Sequence, residues 1–211
     1  SRYVQQNKGE LTFPFRRYQM QKVFRGERPQ EGRFREFLQA DIDVICENEL
    51  PLYHDVEVLQ ALFTALQCLH DQLGIPAAVM RLNSRKLLEG FYLGLGIEDI
   101  SGTLRVVDKL DKIGADKVQE LLVSEVKLSE EQAEKCVAIA QIKTHDLSFV
   151  EKVRELGVEH DLLDEGLEEL ADILDQVQAY KERNFAEDIK SDFMVDLSIA
   201  RGLAYYTGMV F

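Results

Sequence analysis

Residues 18–43 read YQMQKVFRGERPQEGRFREFLQADID, and this stretch decides the fold. It continues a run over 17–25 that reads as a strand and ends in the turn-rich segment Gly-Glu-Arg-Pro-Gln-Glu-Gly at 26–32. The run over 36–45 then alternates, with Leu38, Ala40, Ile42 and Val44 on one face and Gln39, Asp41 and Asp43 on the other. Successive side chains of a strand point to opposite faces, so the pattern predicts a strand with one apolar and one polar side. The two runs form an antiparallel pair. The arginine-bearing loop between them is longer than a hairpin needs, which marks it as a candidate for function.

The loop carries the first set of candidate residues. Arginine offers a rigid fork of donors that fits phosphate oxygens two at a time. Arg25 at a strand end and Arg33 in the returning arm are placed to grip one polyphosphate from two sides. Glu27 cannot bind phosphate; it pairs an arginine or meets a donor such as a nucleobase amine. The bland alternative is an Arg–Glu surface network, worth little. Neither a GxxxxGK[ST] nor a GxGxxG pattern occurs, which excludes a P-loop and a dinucleotide fold. On the returning strand Gln39 and Asp43 point the same way, roughly 13 Å apart. An amide and a carboxylate on one strand face suit a small cationic ligand; a solvated outer face is the commoner outcome.

Outward from this hairpin, 55–73 has helical spacing through Val56, Leu59, Phe63, Leu66 and Leu73, stopped by Gly74 and Pro76. A short strand over 77–82 leads to Asn83-Ser84-Arg85. From about 93 to 190 the pattern is helical throughout. Ser129 with Gln132 predicts a capping box, Thr144 or Asp146 caps a helix closed by Gly157, and a further helix spans 165–180. Phe193, Val195, Leu197 and Ile199 then alternate as a strand. It runs into RGLAYYTG at 201–208, with 209–211 opening another strand. In that turn two glycines permit tight backbone geometry, Arg201 adds a charge, and Tyr205 and Tyr206 add aromatic walls and hydroxyls. Helices flanked by strands on both sides suggest a small helical domain inserted into an α+β core.

The net charge of −13 is uneven. Residues 1–39 hold nine basic against four acidic residues, and 40–211 hold sixteen against thirty-four. An acidic chain that gathers arginine in one short stretch has an anion to hold there, or else a solvated basic loop. Cys46, Cys68 and Cys136 are dispersed, which argues against a disulfide framework and for a reducing compartment, each cysteine serving as a small buried apolar residue. His54, His70, His145 and His160 lack metal-ligand spacing, so no metal site is assigned. No apolar run is long enough to span a membrane, so a soluble protein is expected. Neither end reads as a natural terminus, which leaves any targeting peptide out of view.

The segment from Tyr18 through Asp43 resembles motif 2 of class II aminoacyl-tRNA synthetases in its histidyl form, and Arg201 to Gly208 resembles the signature segment of histidyl-tRNA synthetases. The resemblance runs over the whole chain. It implies an α+β fold: a partial class II antiparallel-sheet core at 1–92 and 191–211, with a helical insertion at 93–190. It also implies a two-step reaction, in which ATP and histidine give histidyl-adenylate and pyrophosphate, and the histidyl group then passes to tRNA(His). Carried over by position, Arg25 holds the α-phosphate and the histidine carboxylate. Glu27 meets the adenine and Arg33 the far phosphates. Gln39 and Asp43 face the histidine ammonium and imidazole region. Arg201 steadies the α-phosphate where other class II enzymes use a metal, and Tyr205 and Tyr206 close the imidazole pocket. Mg²⁺ arrives with ATP. The family is a cytoplasmic or organellar homodimer whose interface is built largely by segments outside this chain.

Two departures from the pattern are Ala204, where many relatives are acidic, and Asp43, where many have Glu. The family's first motif, its acidic-Thr segment, its third motif and its anticodon-binding domain are absent from these 211 residues, so the chain alone is expected not to complete adenylation. The insertion, said of the family to approach the acceptor stem, holds twelve basic and twenty-four acidic residues. At most a local basic edge, with Lys109, Lys112 and Lys117 as its candidates, is therefore expected to meet nucleic acid, and the alternative is a solvated acidic surface. The competing readings are the histidine-sensing regulatory subunit of ATP phosphoribosyltransferase, a synthetase-like module of a stress kinase, and another class II synthetase. The first two have little reason to keep Arg25, Glu27, Arg33 and Arg201 together, and the third leaves the 201–208 segment unexplained.

Overall fold

The computed structural model describes every residue except Ser1, Glu27, Pro29 and those at 200–206. Two compact units divide it, Ser1–Val58 and Leu59–Phe211.

The first unit opens with α1 (Arg2–Gln6) and is built on β1 (Phe15–Phe24) and β2 (Glu36–Ile45). These pair antiparallel without a bulge, from Phe15 opposite Ile45 to Phe24 opposite Glu36. The returning strand has the predicted bounds, while β1 begins two residues earlier than expected and stops before Arg25. The two faces separate as the alternation requires, but their burial is opposite to the usual arrangement. Tyr18, Met20 and Leu38 are 79%, 78% and 78% exposed, while Gln39, Asp41 and Asp43 are half-buried. The solvated outer face is therefore the apolar one. The first turn of α2 (Tyr53–Leu73) also belongs here. Arg16 clasps Glu57 at 2.6 and 3.1 Å, and His54 Nδ1 lies 2.8 Å from the same carboxylate. Arg16, and after it His54, hold Glu57 below the usual carboxylate range.

The second unit continues α2 and adds β3 (Val79–Ser84), α3 (Arg85–Gly94), α4 (Ile100–Val107), α5 (Leu110–Ile113), α6 (Ala115–Ser124) and α7 (Glu130–Ala140). After these come β4 (Lys143–Thr144), α8 (Ser148–Arg154), α9 (Asp161–Asn184), β5 (Asp192–Asp196) and β6 (Met209–Val210). The four strands form one sheet in the order β4-β5-β3-β6, with β3 and β5 parallel and the other pairings antiparallel. Phe63 of α2 stacks on Phe193 of β5 at 4.6 Å and meets Phe185 edge-on at 5.3 Å, which ties helix to sheet.

Helices α3 and α9 cross at a pair of glycines. A Cβ on Gly90 would lie 2.7 Å from Leu163 Cα, and one on Gly166 would lie 2.7 Å from Leu87 Cα. The absence of side chains lets the two backbones touch. Lys86 closes the same crossing with Glu169 at 2.6 Å and Glu165 at 3.2 Å.

The predicted capping box is present: Gln132 N donates to Ser129 Oγ at 3.1 Å, and Ser129 N donates to Gln132 Oε1 at 2.9 Å. Asp146 likewise accepts from Ser148 N at 3.0 Å at the start of α8. Four expectations are corrected. The region over 93–190 is not wholly helical, because β4 pairs with β5 there. Strand β5 ends at Asp196, whose side chain accepts from Ser198 N at 3.0 Å and turns the chain. Leu73 is 70% exposed, because it lies past the last buried turn of α2. Of the cysteines Cys136 is buried, Cys46 intermediate and Cys68 exposed, so the small-buried reading fails for Cys68. Burial pushes the Cys136 thiol up to about 12, which leaves it inert as a nucleophile.

Candidate active site

At the tip of the β1–β2 pair the loop is cinched twice. Arg25 N donates to Arg35 O at 2.9 Å, and Arg33 N donates to Gln30 O at 2.8 Å across a tight turn in which Gly32 takes φ +75°. That left-handed backbone suits glycine, which carries no Cβ to clash. The two constraints bring Arg25, Gly32, Arg33, Phe34 and Phe37 around one cavity of about 360 Å³. Arg25 and Arg33, singled out as a polyphosphate grip, therefore line the same hollow.

Arg25 is oriented from two directions. Its guanidinium stands 5.0 Å above the Phe37 ring, and Nη2 donates to Gln39 Oε1 at 3.0 Å. A flat cation is attracted to the face of an aromatic ring, which fixes the plane of its donors. From Gln39 the polar face continues as a ladder. Gln39 Nε2 donates to Asp41 Oδ1 at 2.7 Å, Gln19 Nε2 to Asp41 Oδ2 at 3.1 Å, and Arg17 Nη1 to Gln19 Oε1 at 2.6 Å. Arg17 Nη2 then reaches Asp43 Oδ2 at 2.5 Å. The residues expected to face an anion and a cation thus sit at the two ends of one hydrogen-bonded series. Arg17 and Gln19 were missed from sequence. The signal was available, since Arg17 and Gln19 alternate with Tyr18 and Met20, but using it needs the cross-strand register. Glu27, Arg201, Tyr205 and Tyr206 lie outside the described residues.

A family profile for histidyl-tRNA synthetase matches residues 2–211. The chain belongs to the histidyl-tRNA synthetase family. The histidine–tRNA ligase of Cutibacterium acnes is 52% identical over 211 residues, which is all of this chain and 45% of that protein. The crystal structure of histidyl-tRNA synthetase from Nostoc sp. PCC 7120 superposes with TM-score 0.81 at 34% identity, over 99% of this chain and 46% of that one. A Bacillus halodurans structure described as an ATP phosphoribosyltransferase regulatory subunit/histidyl-tRNA synthetase shares the fold with TM-score 0.75 at 17% identity, covering 99% of this chain and 50% of its own. The chain spans under half the length of the curated relatives it matches. Its fold is that of a class II synthetase core, α+β with an antiparallel hairpin.

In the second unit a buried charge network lies at the end of β5. Asp196, fully buried, accepts from Arg81 Nε at 2.5 Å and from Ser198 Oγ at 2.5 Å, with Lys143 at 3.3 Å. Arg81 and Lys143 also meet Asp111, at 3.2 and 3.3 Å. Burial works against the Arg81 charge, yet its bonds to Asp196 and Asp111 outweigh this and hold the guanidinium above its ordinary value. The Arg81 bond, followed by that of Lys143, draws the Asp111 carboxyl down. A cavity of about 580 Å³ beside this network is lined by Leu62, Met80, Arg81, Asp111 and Phe211. The network was invisible in sequence because its members come from four separate elements. Among the described residues no group of three or more His, Cys, Asp or Glu side chains is arranged to hold a metal, and no helix is long and apolar enough to cross a membrane.

Proposed function

We propose that this chain carries part of the histidine-activating centre of a histidine–tRNA ligase. The observation that carries the reading is the shared cavity of Arg25 and Arg33, joined through Gln39 to the ladder that ends on Asp43. Activation is an in-line displacement: a histidine carboxylate oxygen attacks the α-phosphorus of ATP, the new O–P bond forms, and pyrophosphate leaves with the electron pair. Such a step is accelerated by positioning and by charges fixed where negative charge builds up. Arg25 holds the α-phosphate and the incoming carboxylate, and Arg33 the far phosphates. The Arg25–Gln39 bond supports this reading, in which Gln39 meets the histidine ammonium. Asp43 faces the ammonium and imidazole region, and Arg201, Tyr205, Tyr206 and Glu27 take the roles implied by their positions. The substrate is ATP with its accompanying Mg²⁺.

The second step passes the histidyl group to tRNA(His). The helical insertion at 93–190, the flanking core segments at 1–92 and 191–211, a homodimeric assembly and a cytoplasmic setting complete the proposal. Lys117 is already paired with Glu120 at 2.7 Å, so its share in any tRNA contact is small. The regulatory-subunit reading shares the fold but has no use for two arginines lining one phosphate-sized cavity. ATP binding separates the two readings.

The test is histidine-dependent ATP–pyrophosphate exchange by the full-length protein carrying this chain. Exchange that requires histidine supports the reading. Exchange driven by another amino acid, or ATP-independent histidine binding alone, overturns it.

A further inference from the structure

The order of donors and acceptors along the polar face of the β1–β2 pair turns on one residue. Asp41 stands directly opposite Gln19 and two residues beyond Gln39 on its own strand. Side chains two apart on one strand face lie roughly 7 Å from each other, within reach of a glutamine. Both glutamines meet the half-buried carboxylate: Gln39 Nε2 donates to Asp41 Oδ1 at 2.7 Å and Gln19 Nε2 to Asp41 Oδ2 at 3.1 Å. Each then turns its carbonyl outward onto an arginine. Gln39 Oε1 accepts from Arg25 Nη2 at 3.0 Å, and Gln19 Oε1 from Arg17 Nη1 at 2.6 Å.

An ionised carboxylate only accepts and a guanidinium only donates, while an amide does both. Each glutamine therefore has one orientation that satisfies both neighbours. Turned over, it would set N–H against guanidinium and carbonyl against carboxylate.

We infer that Asp41 is a positioning residue for histidine activation: a two-sided acceptor that directs both amides. Through Gln39 it orients Arg25, and through Gln19 and Arg17 it orients Asp43, which Arg17 Nη2 meets at 2.5 Å. The inference rests on the proposed function. Arg25 has other contacts, the Phe37 ring among them, so the effect of Asp41 is graded rather than total. Asparagine has the shape of aspartate but one acceptor oxygen. In D41N one glutamine keeps its place and the other must turn over or let go, so one arginine loses its acceptor. Q19E/D41N mends the series without touching Gln39 or Arg25. The carboxylate introduced at position 19 accepts from Arg17 and from the amide introduced at position 41. That amide's carbonyl in turn accepts from Gln39, and the total charge is that of the wild type.

The experiment compares the full-length protein with D41N, Q19E and Q19E/D41N in histidine-dependent pyrophosphate exchange. For D41N we expect kcat/KM for histidine to fall about tenfold, because an oriented hydrogen bond is lost from the site. Q19E alone also falls, because it sets two carboxylates face to face. The pair returns to within about threefold of wild type, since the two changes act on one contact. Unchanged kinetics in D41N, or single losses that add in the pair, overturns the inference. So does a gain in Q19E, which is what added negative charge alone would give. Crystal structures of the variants supply a readout that does not need activity. In D41N either Gln39 leaves Arg25 or Gln19 leaves Arg17, and in the pair both arginines again have their acceptors. A D41N structure with both contacts intact refutes the relay. A wild-type protein without histidine-dependent exchange counts against the proposed function, while the variant structures still decide the relay.

Discussion

Arg17 and Asp43 meet at 2.5 Å across the β1–β2 pair, on the same face as Gln39 and Asp41. Both side chains retain solvent access, 35% and 43%, so the pair adds little to stability. Its consequence is orientation: Arg17 holds the Asp43 carboxylate in place.

Asp43 is therefore expected to act on ligand affinity. In the full-length protein D43N removes the charge and keeps the shape. The histidine KM rises about tenfold or more, with the ATP KM nearly unchanged, because a cation loses its charge-assisted partner. R17M gives a smaller rise in the same direction, since the carboxylate remains and only its tether is lost. Steady-state exchange kinetics at varied histidine check both; equal rises for histidine and ATP would remove Asp43 from the histidine side.

The α3–α9 crossing gives a stability prediction. G166A pushes a methyl group into the Leu87 backbone, and G90A does the same at Leu163. Overpacking of this kind costs about 2 kcal/mol or more, which lowers the melting temperature by roughly 4–8 °C in a domain of this size. Alanine at Gly26, where a Cβ meets nothing within 4 Å, serves as the control and changes little. A G166A protein as stable as wild type would mean that the helices cross less closely.

Asp192 links sheet and helix through Lys181 at 2.7 Å and His145 at 2.8 Å. Burial raises its pKa, but the Lys181 bond and the Phe193 backbone N–H outweigh this and hold the carboxyl below its ordinary 3.8. The folded value is lower than the unfolded one, so this stabilisation is present above 3.8 and lost as pH falls through the folded value. D192N is thus expected to melt below wild type at neutral pH. The gap should narrow progressively as the pH is taken below about 4. Thermal melts across that range check it, and a gap independent of pH would contradict it.

How far the sequence led can be traced residue by residue. The bounds of β2 were legible because polar and apolar residues alternate without a break from Leu38 to Val44. Its burial was not, because alternation says which residues share a face and nothing about which face is covered. The capping box was legible because Ser129 and Gln132 act within one turn. β4 has two residues and no pattern of its own; only its pairing with β5 defines it. On the site, Arg25, Arg33, Gln39 and Asp43 stood out by residue type and spacing. Arg17 and Gln19 did not, since each is placed by the cross-strand register and by partners on the polar face.

Arg25 and Arg33, which line one cavity, are expected to grip one polyphosphate. A double-mutant cycle on the full-length protein tests it, with R25K, R33K and the pair compared by kcat/KM in histidine-dependent exchange. Two groups bound to the same polyphosphate should couple by about 1 kcal/mol or more, the double variant losing less than the two single losses combined. Losses that add within about 0.5 kcal/mol would place the two arginines at separate tasks and contradict the account.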